Sequence, residues 1–104
     1  MTPELKTRFD AETKAHKIVL YMKGNKLFPQ CGFSAAALQA LSTHGEPVHT
    51  VDVLAEPAVR DGIKEYSSWP TIPQVYINGQ FIGGSDIVLE MSKNGELEKL
   101  IKGA

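Results

Sequence analysis

Apolar positions fall along this chain in short runs whose spacing changes from segment to segment. After Thr2-Pro3-Glu4, a cap-like Thr, a Pro and an acid, Leu5 and Phe9 stand four apart among polar neighbours. That spacing predicts a short amphipathic helix over residues 3–15. Lys17-Ile18-Val19-Leu20-Tyr21-Met22 is then apolar without a break and too short for a helix, so it predicts a buried strand. Gly24, Asn25 and Pro29 break the chain into a loop over residues 23–30. From Cys31 to about His44, the run Ala35-Ala36-Ala37-Leu38-Gln39-Ala40-Leu41 favours helix, and Gly45 and Pro47 end it.

The second half repeats the alternation. Val48-His49-Thr50-Val51-Asp52-Val53 predicts a second strand. A helix beginning at Glu56-Pro57 carries Val59, Ile63 and Tyr66 on one face and ends near Ser67-Ser68. Two prolines three apart keep Trp69-Pro70-Thr71-Ile72-Pro73 out of any helix. Gln74–Ile77 and Gln80–Ile82 flank Asn78-Gly79, a strong hairpin signal. Gly83-Gly84 break the chain again. Ser85 or Asp86 is expected to cap a helix bearing Ile87, Val88 and Met91, and a last helix after Asn94-Gly95 bears Leu97, Leu100 and Ile101.

The element order is helix, strand, helix, strand, helix, hairpin, helix, helix. A right-handed crossover makes the first two strands parallel, and the hairpin adds antiparallel strands. The expectation is an α/β fold, a four-stranded mixed sheet flanked by helices on both faces. With no repeat or linker in 104 residues, residues 1–104 read as one domain, with a core over about 15–102 behind the N-terminal helix.

Charge removes some functions from consideration. The formal net charge is −1 and the Lys and Arg residues are scattered, so there is no electrostatic case for nucleic acid. No apolar run is long enough to span a membrane, and the opening residues lack the apolar core of a signal peptide. One cysteine permits no intrachain disulfide and fits a reducing compartment. The expected location is cytoplasmic, or an organelle stroma or matrix if a transit peptide has been removed.

That cysteine, Cys31, is the candidate reactive group. It should lie on a strand-to-helix turn, where free backbone N–H groups and the helix dipole favour an anion. Near Lys23 and Lys26, its thiol should titrate below the usual value of about 8.5. A resolving thiol would stand three positions on, and Ser34 occupies that position, so a mixed disulfide on Cys31 would need an outside thiol for release. His16, His44 and His49 fall on no metal-ligand spacing and read as surface residues.

Cys31-Gly32-Phe33-Ser34, the preceding Lys23, Trp69-Pro70-Thr71-Ile72-Pro73-Gln74 and Gly83-Gly84-Ser85-Asp86 together resemble the monothiol glutaredoxins of the CGFS type. The resemblance runs from about residue 3 to residue 102 and implies a thioredoxin-like fold. It implies glutathione binding, a bridging [2Fe-2S] cluster shared by a homodimer, delivery of clusters to iron-sulfur apoproteins, and a BolA-like partner protein. A carrier role is implied ahead of efficient catalysis. The alternative is a glutathione-dependent oxidoreductase that deglutathionylates proteins with Cys31 as nucleophile. A third reading, a regulatory module that binds a partner through a cleft at Trp69, needs no reactive thiol. Many relatives carry Cys where this chain has Ser85.

The resemblance also assigns residues. Cys31 is the catalytic thiol and the metal ligand. Lys23, Arg60, Ile72, Ser85 and Asp86 are the implied glutathione contacts, with Gly32, Phe33, Pro73 and Gly84 beside them. Lys64, one turn from Arg60, competes for the same carboxylate. The chemistry is consistent: glutathione has two carboxylates and one ammonium, so it needs cations, free N–H groups and an acid. Lys23 and Arg60 suit the glycyl carboxylate, the helix start at Ser85-Asp86 suits the γ-glutamyl carboxylate, and Asp86 suits the ammonium. The Ile72 backbone can pair with the tripeptide like an added strand. In thioredoxin-like families the proline corresponding to Pro73 is cis, which would turn that backbone into the cleft. Gly83 and Gly84 would allow close approach.

Overall fold

The computed structural model of the chain describes residues 1–103. Its helices are α1 (Pro3–Ala15), α2 (Gly32–Leu41), α3 (Pro57–Ser67), α4 (Ser85–Asn94) and α5 (Glu96–Lys102). Its strands are β1 (Ile18–Met22), β2 (Val48–Asp52), β3 (Gln74–Ile77) and β4 (Gln80–Gly83). The strands form one mixed sheet in the order β2-β1-β3-β4, with β1 parallel to β2 and antiparallel to β3. The expected architecture is present.

Strand β1 explains why both faces are covered. All five of its residues are buried, and alternate side chains enter two separate cores. Ile18, Leu20 and Met22 pack with Leu41, Val88, Leu97 and Ile101 under α2, α4 and α5. Val19 and Tyr21 pack with Phe9, Val59 and Ile63 under α1 and α3. Each such side chain, fully buried, contributes about 1.5–3 kcal/mol. Phe9 meets Tyr21 edge-on at 5.7 Å between ring centroids, and Arg8 holds Glu56 with two bonds of 2.8 and 3.0 Å. These contacts fix α1 against β1 and against the start of α3.

The helix ends differ in detail from the sequence expectation. The second helix stops at Leu41 and continues as a 3-10 turn, Ser42–His44, closed by Gly45 at φ 75°. Neither Ser85 nor Asp86 caps α4. Gly84 is the cap residue, and no side chain caps the first turn. The free N–H groups of that turn are therefore left to whatever enters from outside. At the hairpin, Asn78 (φ 54°) and Gly79 (φ 79°) are both left-handed, as a two-residue turn matched to the strand twist requires.

Candidate functional site

Cys31 is the cap residue of α2, in extended backbone (φ −149°, ψ 134°), and its carbonyl accepts from Ala35 N–H at 3.0 Å. Its thiol therefore sits over the open N–H groups of the first turn. The thiol titrates below its ordinary value, chiefly because the Ser34 backbone N–H donates to the sulfur. Partial burial opposes this, while the Phe33 N–H, the Lys23 charge and the Ser34 hydroxyl add to it. Backbone donors thus outweigh lysine charge. Lys26, expected near the thiol, faces the hollow beside β2 together with His16 and His49.

The loop before Cys31 is tightly built. Gly24 adopts φ +89°, and a side chain there would collide with the Phe28 carbonyl, so this turn needs glycine. Asn25 Oδ1 accepts from the N–H groups of Leu27 and Phe28, both at 2.9 Å, and Gln30 N–H donates to Lys23 O at 2.8 Å. Lys23 N–H donates to Ser34 Oγ at 3.1 Å. Ser34 is fully buried, so the residue standing where a second thiol would be serves to anchor the Lys23 backbone.

Across from the thiol, a cleft of about 500 Å³ is lined by Lys23, Cys31, Phe33, Arg60, Ile72, Pro73, Gly84, Ser85 and Asp86. Nine of the ten expected site residues meet here. Gly32 does not line the cleft; it opens α2, and a methyl group added there would touch nothing. The Ile72–Pro73 bond is cis, as expected. Among the described residues, no hydrogen bond engages the Ile72 backbone, and no ion pair engages Lys23, Arg60, Lys64 or Asp86.

Lys64 joins Arg60 on the same wall, so both α3 cations face the cleft. Trp69, Pro70, Thr71 and Ile87 also line the cleft. Thr71 and Ile87 carried no chemical signal in the sequence beyond their places between two prolines and next to Asp86. Gly83 has a role other than the expected one. It has φ +148°, and a side chain would lie 2.7 Å from the Ile87 methyl, so glycine is required by the return of α4 over β4. Gly84 does lie on the cleft: an added Cβ would face Pro73 O at 3.4 Å and Trp69 Nε1 at 3.6 Å.

Two buried polar atoms in this wall, Arg60 Nε and Trp69 Nε1, have no partner. Such groups are destabilising unless a ligand or water satisfies them. Unpaired cations, an unpaired acid, free helix N–H groups and an unengaged backbone form a donor set for a zwitterionic peptide with two carboxylates.

The glutaredoxin family model matches residues 18–82. A monothiol glutaredoxin of Synechocystis sp., itself uncharacterised, is 55% identical over 98% of this chain and 95% of its own length. The chain belongs to the monothiol glutaredoxins. The solution structure of reduced apo GrxS14 from poplar is 50% identical and superposes with a TM-score of 0.87, covering 98% of this chain and 94% of that one. The chloroplastic monothiol glutaredoxin-S7 of rice is 50% identical over the whole chain, which spans 62% of the rice protein. Relatives of this glutaredoxin are thus cyanobacterial and chloroplastic. No helix among its described residues is long and apolar enough to cross a membrane.

Proposed function

We propose that this glutaredoxin binds glutathione in the Cys31 cleft and, as a homodimer, carries a [2Fe-2S] cluster for delivery to iron-sulfur apoproteins. The observation that carries the reading is a single thiol of lowered pKa beside a cleft whose charged groups form no ion pair among the described residues. Lys23 and Arg60, with Lys64 beside Arg60, would hold the glycyl carboxylate. The free N–H groups at Ser85 and Asp86 would take the γ-glutamyl carboxylate, and Asp86 the ammonium. The tripeptide backbone would run along Ile72 and Pro73. That pose leaves the glutathione thiol next to Cys31.

Stoichiometry then sets the assembly. A [2Fe-2S] cluster takes four ligands, and one chain supplies one thiolate. Among the described residues, no group of three His, Cys, Asp or Glu is arranged to hold a metal. Two Cys31 thiolates and two glutathione thiols make four. Phe33, at 64% exposed, would shield the edge of the cluster between the subunits. A BolA-like protein offering His or Cys is the alternative source of ligands. A reducing aqueous compartment, cytoplasm or stroma, suits an unprotected thiol.

A second reading rests on the lowered thiol. The Cys31 thiolate can attack the glutathione sulfur of a protein mixed disulfide, releasing the protein thiolate and leaving glutathione on Cys31. Because Ser34 cannot resolve that disulfide, a second glutathione must release it, giving oxidised glutathione. The test between the readings is anaerobic reconstitution with iron, sulfide and glutathione, followed by visible absorption and size-exclusion chromatography beside Cys31→Ser. The carrier reading expects a coloured dimer that is lost in the variant and without glutathione. A colourless monomer that still binds glutathione rejects it in favour of the oxidoreductase.

A further inference from the structure

Gln74 opens β3 directly after the cis Ile72–Pro73 bond, pairs across the sheet with Tyr21, and is 0% exposed. A polar side chain buried at the head of a strand needs an explanation. Its Nε2 donates to Trp69 O at 3.0 Å and to Thr71 O at 3.3 Å. Two carbonyls converging on one atom require a group with two hydrogens, which an uncharged primary amide supplies. The other end of the amide is unmatched: Gln74 Oε1 is buried and has no partner. An apolar side chain of similar length would avoid that cost. What the amide provides is a hold on the loop.

The loop has few other means of holding itself. Pro70 and Pro73 contribute no N–H. Trp69 N–H is directed backwards, to Lys64 O and Ser67 Oγ, both at 3.1 Å. Among the described residues, no backbone-to-backbone hydrogen bond of Pro70, Thr71, Ile72 or Pro73 is present outside the sheet. Apart from the packing of the Ile72 side chain in the core, the stretch that presents the unengaged Ile72 backbone to the cleft is thus held from beneath by the hydrogen bonds of one side chain.

We propose that Gln74 is a positioning residue for the cleft, its amide fixing the Trp69 and Thr71 carbonyls so that the Ile72 backbone is set to pair with a bound tripeptide. This rests on the glutathione reading above. Gln74 touches neither the thiol nor the ligand, so its loss should weaken binding and leave the nucleophile unchanged.

The test uses the reduced full chain and S-methylglutathione, whose blocked thiol does not titrate, with calorimetric titrations from about pH 5.5 to pH 8. Gln74→Met keeps the length and removes both donors; it should bind about tenfold more weakly at every pH. Gln74→Glu keeps one donor only while protonated, and burial raises the pKa of such a carboxyl. With one of the two donors kept, its affinity should lie between those of the parent and of Gln74→Met at the acid end and fall to at least about tenfold below the parent as the pH rises, while the parent stays level. The Cys31 titration, followed by thiolate absorbance, should not move in either variant. A role confined to packing predicts no such pH-dependent rescue.

Folded variants that bind like the parent at every pH overturn the proposal. If both variants fail to fold, the parent chain decides: slowly exchanging Gln74 side-chain hydrogens support the hold on the loop, and freely exchanging ones refute it. A parent chain that ignores S-methylglutathione overturns the glutathione reading itself, a result distinct from variants that match a binding parent.

Discussion

Two hollows on this molecule differ in the opposite sense to their size. The larger, about 660 Å³, lies beside β2 and is lined by His16, Lys17, Lys26, Glu46 and His49, among others. The smaller, about 500 Å³, is the Cys31 cleft. In and beside the larger one, the histidines, Glu12 and their neighbours are occupied with one another, while Lys17, Lys26 and Glu46 form no ion pair among the described residues and do not line the Cys31 cleft. His16 and His49 stack at 3.9 Å with their planes 4° apart, and His49 Nε2 lies 3.8 Å from Glu12. Glu12 also accepts from Tyr21 Oη at 2.9 Å and lies 3.4 Å from Arg8. In the cleft, the cations of Lys23, Arg60 and Lys64 form no ion pair among the described residues, and they stand beside the Cys31 thiol. Volume marks where something could fit. Unspent charge beside a reactive atom is the feature on which the glutathione proposal rests.

The strongest challenge to that contrast is to reverse the cleft's charge. Lys23→Glu combined with Arg60→Glu should reduce glutathione affinity at least about 100-fold, since two charge-assisted hydrogen bonds are lost. Thermal unfolding should hardly change, because neither cation is paired within the fold. Unaltered affinity in calorimetry would show that these cations are ordinary surface charges. Arg8→Ala is the reciprocal change. Its pairing with Glu56 is more than a third exposed on the Glu56 side, so screening limits the loss to about 1 kcal/mol in urea unfolding. Glutathione affinity should stay within about twofold.

The smallest effect concerns protons. Burial first, then the neighbouring His16, holds the His49 imidazole below its ordinary value, against the pull of Glu12. A base whose pKa is lower in the folded chain takes up protons preferentially when unfolded. Stability should therefore decline as the pH falls through the unfolded value of about 6.5. His49→Gln should flatten that slope, seen as a smaller difference in urea midpoint between pH 7.5 and pH 5.5. An unchanged slope would assign the decline to other groups.

Much of this was legible in the sequence because local rules and tertiary demands agree. Thr2-Pro3-Glu4 marked the start of α1, Leu5 and Phe9 marked its inner face, and Asn78-Gly79 marked the hairpin. The thiol was legible because a lone Cys between a strand run and a helix run has one geometric outcome. Other features depend on how the chain turns back on itself. The left-handed Gly24 turn and the Asn25 side chain carry Lys26 away from the thiol that it neighbours in sequence. Gly83 is glycine because of Ile87, and Ile87 reaches it only once α4 has folded over β4. Gln74 read as one more strand residue, since nothing local shows that two carbonyls will converge beneath the Trp69 loop.

The central claim is that the unpaired groups of the Cys31 cleft exist to hold glutathione, and it is tested most directly by titrating the reduced, isotope-labelled chain with S-methylglutathione. Chemical-shift changes are predicted at Lys23, Arg60, Ile72, Ser85, Asp86 and the Trp69 indole, with His16 and His49 unmoved. Changes centred on His16 and His49, or none at ligand concentrations that saturate a millimolar site, would contradict the account.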